Sequence, residues 1–172
     1  GEAARGDWLL GNAIMEKAAP EPLRRASPDN VDQVAPLLAE LGTGRYAITP
    51  RFALNCSAGL MRDLGDLARR ENAFVQTHLS ESVNEIREIR AAFPEAEDYT
   101  DVYDRAGLLG PRSVLGHCIH LSEREHDTLA RRRAWIAHCP SSNEALGSGR
   151  MDLAAVRRHG TRYALASDVG AG

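Results

Sequence analysis

Val114–Leu121 reads VLGHCIHL, an apolar run that ends in two imidazoles, His117 and His120. Read alone, those histidines fit core packing, metal ligation or catalysis. What decides between them is whether neighbouring strands finish in the same kind of residue.

Short β-rich runs alternate with helical patterns on both sides of this stretch. GRYAITPRFAL (44–54) reads as a strand that Pro50 should end near Thr49, and AFVQTHL (73–79) as the next. SVLGHCIHL (113–121), AWIAHCP (134–140) and TRYALASDVG (161–170) supply three more, and GNAIM (11–15) upstream a further short one. Between them, Leu60, Leu64 and Leu67, and then Val83, Ile86 and Ile89, recur at helical spacing. Ser122 with Glu125 forms a capping-box pattern, and Gly160 sits where a helix C-terminus favours glycine. SPDNVDQVAPLLAELG (27–42) looks helical, with Pro36 expected to kink or split it, and the spacer 94–113 should hold another short helix. The five main strands start near residues 45, 74, 113, 134 and 162, roughly 29 residues apart, against about 31 per unit in a (β/α)₈ barrel. The class is α/β with a parallel sheet. A doubly wound sheet fits this spacing too, but no strand leads into a phosphate-cradling glycine turn.

The strand ends carry the chemistry. In order they deliver Thr49, Pro50 and Arg51; His78 with Glu81; His117 and His120; His138 and Cys139; and Asp168. In a parallel βα barrel those ends form one face, where active sites sit. Imidazole and carboxylate together suit a divalent transition metal such as zinc. His78 and Asp168 are the ligand candidates, with Glu81 placed to shuttle protons. Two ligands are fewer than a catalytic zinc normally has. His138 is expected to bond backbone or back up the site, His120 to be structural, and His126 and His159 to be solvated in charged helical surroundings. Cys118 and Cys139 read as packing residues.

Composition removes other classes. The 172 residues carry a formal net charge of −3 and only 5% aromatic residues, so neither nucleic acid nor a basic membrane face is expected as a partner. No apolar run is long enough to span a membrane, and the acidic N-terminal stretch does not read as a secretory signal. Three widely spaced cysteines without C-x-x-C point to a reducing, cytoplasmic compartment.

RYAITPRFA, VQTHLSE, DVYDRAGLLGPRSVLGHCIHLSEREHDTLA, IAHCPSSNEALGSG and LASDVGAG, in this order, resemble the guanine deaminases of the amidohydrolase superfamily. The similarity runs from about residue 45 to the end, with MEKAAPEPL (15–23) a weaker upstream match. It implies a deformed (β/α)₈ barrel of TIM type holding one divalent metal, usually zinc with iron the other candidate, and hydrolysing guanine to xanthine and ammonia. It implies His78 and Asp168 as metal ligands, and Glu81, His117 and Asp168 as the catalytic set. Arg51 and Phe52 match the pair that grips the purine, and Gln76, His78 and Glu81 complete the implied substrate contacts. A homodimer is the implied assembly. The alternatives are an amidohydrolase acting on another purine, a pyrimidine or a triazine, and an inactive truncated fragment.

The departures are equally specific. The H-x-H pair that supplies two further ligands on the family's first strand is absent, since two residues separate His117 from His120. The sequence stops at SDVGAG, where a glycine-rich loop should lead into a closing helix. Residues 1–172 are therefore expected to form one partial barrel domain, covering about strands three or four to eight. The other known route to purine deamination, with H-x-E and P-C-x-x-C zinc motifs, has neither motif here.

Overall fold

The computed structural model describes residues 8–169, which leaves the glycine-rich tail after Asp168 largely outside the described residues. Six strands form one sheet: β1 (Ala13–Ile14), β2 (Ala47–Pro50), β3 (Phe74–Leu79), β4 (Ser113–His117), β5 (Trp135–His138) and β6 (Arg162–Leu165). All pairs are parallel, and the order across the sheet is the order in the chain. A doubly wound sheet reverses direction at a switch point, whereas winding that never reverses generates a barrel. The sheet is an arc of such a barrel. Among the described residues, no helix is long and apolar enough to cross a membrane.

Among the described residues, seven α-helices accompany the strands: α1 (Ser27–Leu41), α2 (Ala58–Glu71), α3 (Val83–Ala92), α4 (Tyr99–Arg105), α5 (Glu123–Arg132), α6 (Pro140–Ala145) and α7 (Leu153–Arg158). Their ends are fixed by local chemistry. Ser82 with Glu85 and Ser122 with Glu125 make complete capping boxes at α3 and α5. Ser57 caps α2 through the Leu60 amide, and Asn72 closes it in the left-handed conformation at φ 49°. Pro36 lies inside α1 and does not split it. Pro36 and Asp32, whose carbonyl loses its intrahelical donor, both face solvent, so water satisfies what the proline leaves free.

The two faces of the sheet have different fates. Along β3, Val75, Thr77 and Leu79 are buried under the helices, while Gln76 and His78 on the opposite face are only half-buried. Leu60, Met61 and Leu64 of α2, Leu115 of β4, Ile136 of β5 and Tyr103 of α4 complete the core on the helical side. Register aligns His78 with Gly116, Ala137 and Ala164 across the inner face, so small residues flank the imidazole. The inner face and the sheet ends remain open, with Trp135, Leu165, Trp8 and Leu10 exposed.

Helix α2 approaches the chain so closely at Gly65 that a β-carbon there would stand 1.9 Å from the Ala106 carbonyl oxygen. Neither neighbour is a flexible side chain. Gly65→Ala should therefore destabilise by about 1–3 kcal/mol as helix and loop separate. Urea unfolding should show a lower midpoint at unchanged m-value.

His126 and His159 do not follow the solvated reading. His126 is buried in α5 and stacks on His159 at 5.2 Å, with the rings within 13° of parallel. His159 Nδ1 and Nε2 reach Asp127 and Glu123, each at 2.7 Å, and Arg158 bonds Glu123 as well. Hydrogen bonds to Asp127 and Glu123 raise the His159 pKa, whereas burial lowers that of His126. A raised imidazole pKa stabilises the fold fully below the unfolded value of about 6.5, and that contribution fades as pH climbs through the folded value. Thermal unfolding should thus separate wild type from His159→Gln most at pH 6 and least at pH 9.

Candidate metal and active centre

Strands β3, β4 and β6 all present a polar group where the pleat breaks. Ser80 (φ 50°), His117 (φ 69°), Cys118 (φ 53°) and Asp168 (φ 54°) take left-handed backbone, which costs non-glycine residues energy and clusters at functional sites. His117 pairs in register with Leu79, whose side chain lies on the helical face. Its imidazole nevertheless stacks on that of His78 from the inner face, 5.2 Å away. The backbone turn at His117 is what breaks the alternation, and it also ends β4 there, short of the expected Leu121.

One donor atom from each of His78, His117 and Asp168 lies within 4.8 Å of the others. Each is oriented by a partner behind it. His78 Nδ1 donates to the Arg51 carbonyl at 2.7 Å, so Nε2 keeps a free lone pair. His117 Nδ1 donates to Asn143 Oδ1 at 2.9 Å, with the same consequence. Asp168 Oδ2 accepts from the Ser142 hydroxyl at 2.7 Å. Burial lowers the His78 pKa despite the Arg51 carbonyl, which keeps the ring neutral and able to bind a metal. Two imidazole nitrogens and a carboxylate, convergent, fit a zinc ion. Thiolates do not contribute: burial pushes the Cys56 thiol up to about 12 and also raises Cys118 and Cys139.

Glu81 stands beside this group, its Oε2 3.6 Å from His117 Nε2 and its Oε1 3.4 Å from the Ser148 hydroxyl. Arg51 and Phe52 form the rim, with the guanidinium 5.1 Å from the Phe52 ring centre. Together these residues line a cavity of about 310 Å³. Gln76 shares the face of His78 one pleat below and is not among the residues lining it. His120 lies past the strand and bonds the Ser148 carbonyl, and His138 is buried with its Nδ1 unpartnered.

Beneath the site stands Tyr103. Its hydroxyl accepts from the Ala53 amide at 2.9 Å and donates to the His78 carbonyl at 2.8 Å, tying the Arg51–Phe52 turn to the end of β3. Neither Tyr103 nor the three polar residues Ser142, Asn143 and Ser148 stood out from sequence as site residues. Tyr103 carries no signal, being one of five consecutive buried residues in α4. The others did carry one: PSSNEALGSG concentrates small polar side chains directly after a strand end.

The chain matches the Amidohydrolase family over residues 7–172. It is similar to the probable guanine deaminase of Deinococcus radiodurans, 40% identical over 178 residues that cover 99% of this chain and 40% of that protein. The guanine deaminase of Rattus norvegicus is 34% identical over 171 residues, 95% of this chain and 37% of that one. Among solved structures, guanine deaminase from C. acetobutylicum, with guanine bound in its active site, superimposes with a TM-score of 0.91 at 32% identity. That match covers 95% of this chain and 40% of the other. The chain thus spans about two fifths of the length of these relatives. A match that takes in all but the first six residues leaves almost nothing unaccounted for, and the chain belongs to the amidohydrolase family.

Proposed function

We propose that these residues carry the zinc-holding, proton-transferring and purine-gripping part of a guanine deaminase, which converts guanine and water to xanthine and ammonia. The observation that carries the reading is the convergence of His78, His117 and Asp168 within 4.8 Å, beside Glu81 and under the Arg51–Phe52 rim. Guanine as substrate is supported by similarity to guanine deaminases, one of them solved with guanine bound. His78 and Asp168, with His117 alongside, would hold a zinc ion, which would supply the Lewis acidity that makes water nucleophilic near neutral pH.

The chain's own groups do the rest. The Arg51 guanidinium, an obligatory donor, hydrogen-bonds the purine carbonyl or a ring nitrogen, and the Phe52 ring covers a face of the base. Water attacks C2. Asp168 takes one proton from the water, and His117, turned by its Nδ1–Asn143 bond, hydrogen-bonds the attacking oxygen through Nε2. Glu81 carries one water proton to the adjacent ring nitrogen and then relays the proton held by Asp168 to the departing amine, so both protons of the water are used, the C2–N bond breaks as ammonia leaves and the carbonyl of xanthine forms.

Ammonia release from guanine by this chain with added zinc tests the reading, with His78→Ala as control. Release that the control abolishes supports it. Turnover of a different heterocycle in place of guanine would replace the substrate, and zinc binding without any turnover would overturn catalysis by this chain on its own.

A further inference from the structure

A second, larger cavity lies at the other end of the same strands, where the chemistry above makes no use of it. It measures about 710 Å³ and is bounded by α2, the turn between α4 and β4, and the first residues of β3 and β4. Every one of these elements is within the described residues, so the cavity does not depend on strands the sheet lacks. Its size falls within the range of roughly 300–1,000 Å³ typical of small-molecule sites.

The lining has an apolar part and a cationic part. Ala68, Ala73, Val75, Ala106 and Leu108 are buried apolar residues. Five guanidiniums, from Arg62, Arg69, Arg105, Arg112 and Arg132, stand against only two carboxylates, Asp66 and Asp104. In a chain of net charge −3 this is a local reversal of sign. Sequence spacing builds part of it: Arg62, Asp66 and Arg69 follow one another at i, i+4 and i+7 along one face of α2.

Ion pairing accounts for some of these cations and not for others. Arg69 pairs with Asp66, Arg132 with Asp104, and Arg105 with Asp101, each at 2.6 Å. A guanidinium has five N–H donors, and these pairs use one or two of them. Arg62 is exposed and has no ion-pair partner among the described residues. Arg112 lies 4.0 Å above the Phe74 ring and donates to the Thr43 carbonyl at 2.6 Å. That arrangement leaves its Nε buried with no acceptor, a donor the fold itself does not satisfy.

We propose that this cavity binds a phosphate-bearing nucleotide. The guanidiniums take the phosphate, which they match in charge and in paired-donor geometry, and the apolar lining takes the base and sugar. Arg62 and Arg112 carry the most of this, being the two whose donors are not committed to a carboxylate. The inference stands apart from the metal centre and needs no zinc.

Titration calorimetry of guanosine 5′-monophosphate into the metal-free chain at low ionic strength tests it. One saturable site is expected, with affinity that falls as salt rises. Guanosine lacking the phosphate should bind at least about tenfold more weakly, since its apolar body has lost the charge-assisted bonds. Arg62→Gln, an exposed change that leaves the core untouched, should weaken binding by about tenfold, as should Arg112→Gln, while His78→Ala leaves it unchanged. Absence of saturable binding, or affinity indifferent to both arginine changes, would overturn the proposal. Loss of binding in His78→Ala would place the nucleotide in the metal cavity and overturn it equally.

Discussion

Glu81→Gln should cut deamination by about 10²–10⁴-fold, the contribution of a positioned acid–base group, and leave zinc affinity within about threefold of wild type. The amide is isosteric with the carboxylate and can still accept from the Ser148 hydroxyl, so the cavity keeps its shape. What it loses is a group that can carry a proton from water to ring nitrogen and amine. Glu81 is close to His117 but does not belong to the convergent donor group, which is why metal binding should survive. His78→Ala should do the reverse. It deletes one of the two proposed ligands, and calorimetric zinc binding should fall at least about 100-fold, taking activity with it. A Glu81→Gln variant that failed to bind zinc would make Glu81 a ligand, and a His78→Ala variant that bound normally would remove His78 from the metal site.

Much of this was legible in the chain because the relevant signals are local. A strand that runs out in His78, His117 or Asp168 announces a shared polar face once parallel strands are inferred, since parallel winding puts their C-terminal ends together. Period and capping located α2, α3 and α5 for the same reason, each resting on residues three or four apart. Strand order was not legible. Spacing of about one strand per 29 residues fits open and closed α/β sheets alike, and only hydrogen-bonded pairing from β1 through β6 separates them. Nor could charge-rich surroundings tell that His126 lies buried against His159, because exposure depends on how α7 packs over α5. Sequence counted His78 and Asp168 as ligands and set His117 beside the water on resemblance; the left-handed turn at His117, invisible in the sequence, is what brings its ring to the other two.

Ser142→Ala should lower zinc affinity, and Asn143→Leu deamination, by about 10–100-fold each, although neither side chain belongs to the donor group. Both sit in the first turns of α6, and each holds a different strand-end group: Ser142 the Asp168 carboxylate, Asn143 the His117 ring. Without the Ser142 hydroxyl, Asp168 keeps its charge but loses the bond that orients it, so it must be ordered at the moment the ion binds. Without Asn143 Oδ1, nothing fixes the proton on His117 Nδ1, and the tautomer protonated at Nε2 points a hydrogen where a lone pair is needed. Imidazole nitrogen-15 shifts of the metal-free chain separate the two effects. His117 should show a protonated Nδ1 in wild type and in Ser142→Ala, and a mixture of tautomers in Asn143→Leu. If these losses instead follow thermal stability across both variants, α6 supports the fold and does not aim the two groups. If they appear while the unfolding midpoint holds, the Asp168 carboxylate and the His117 ring are aimed because one short helix reaches both.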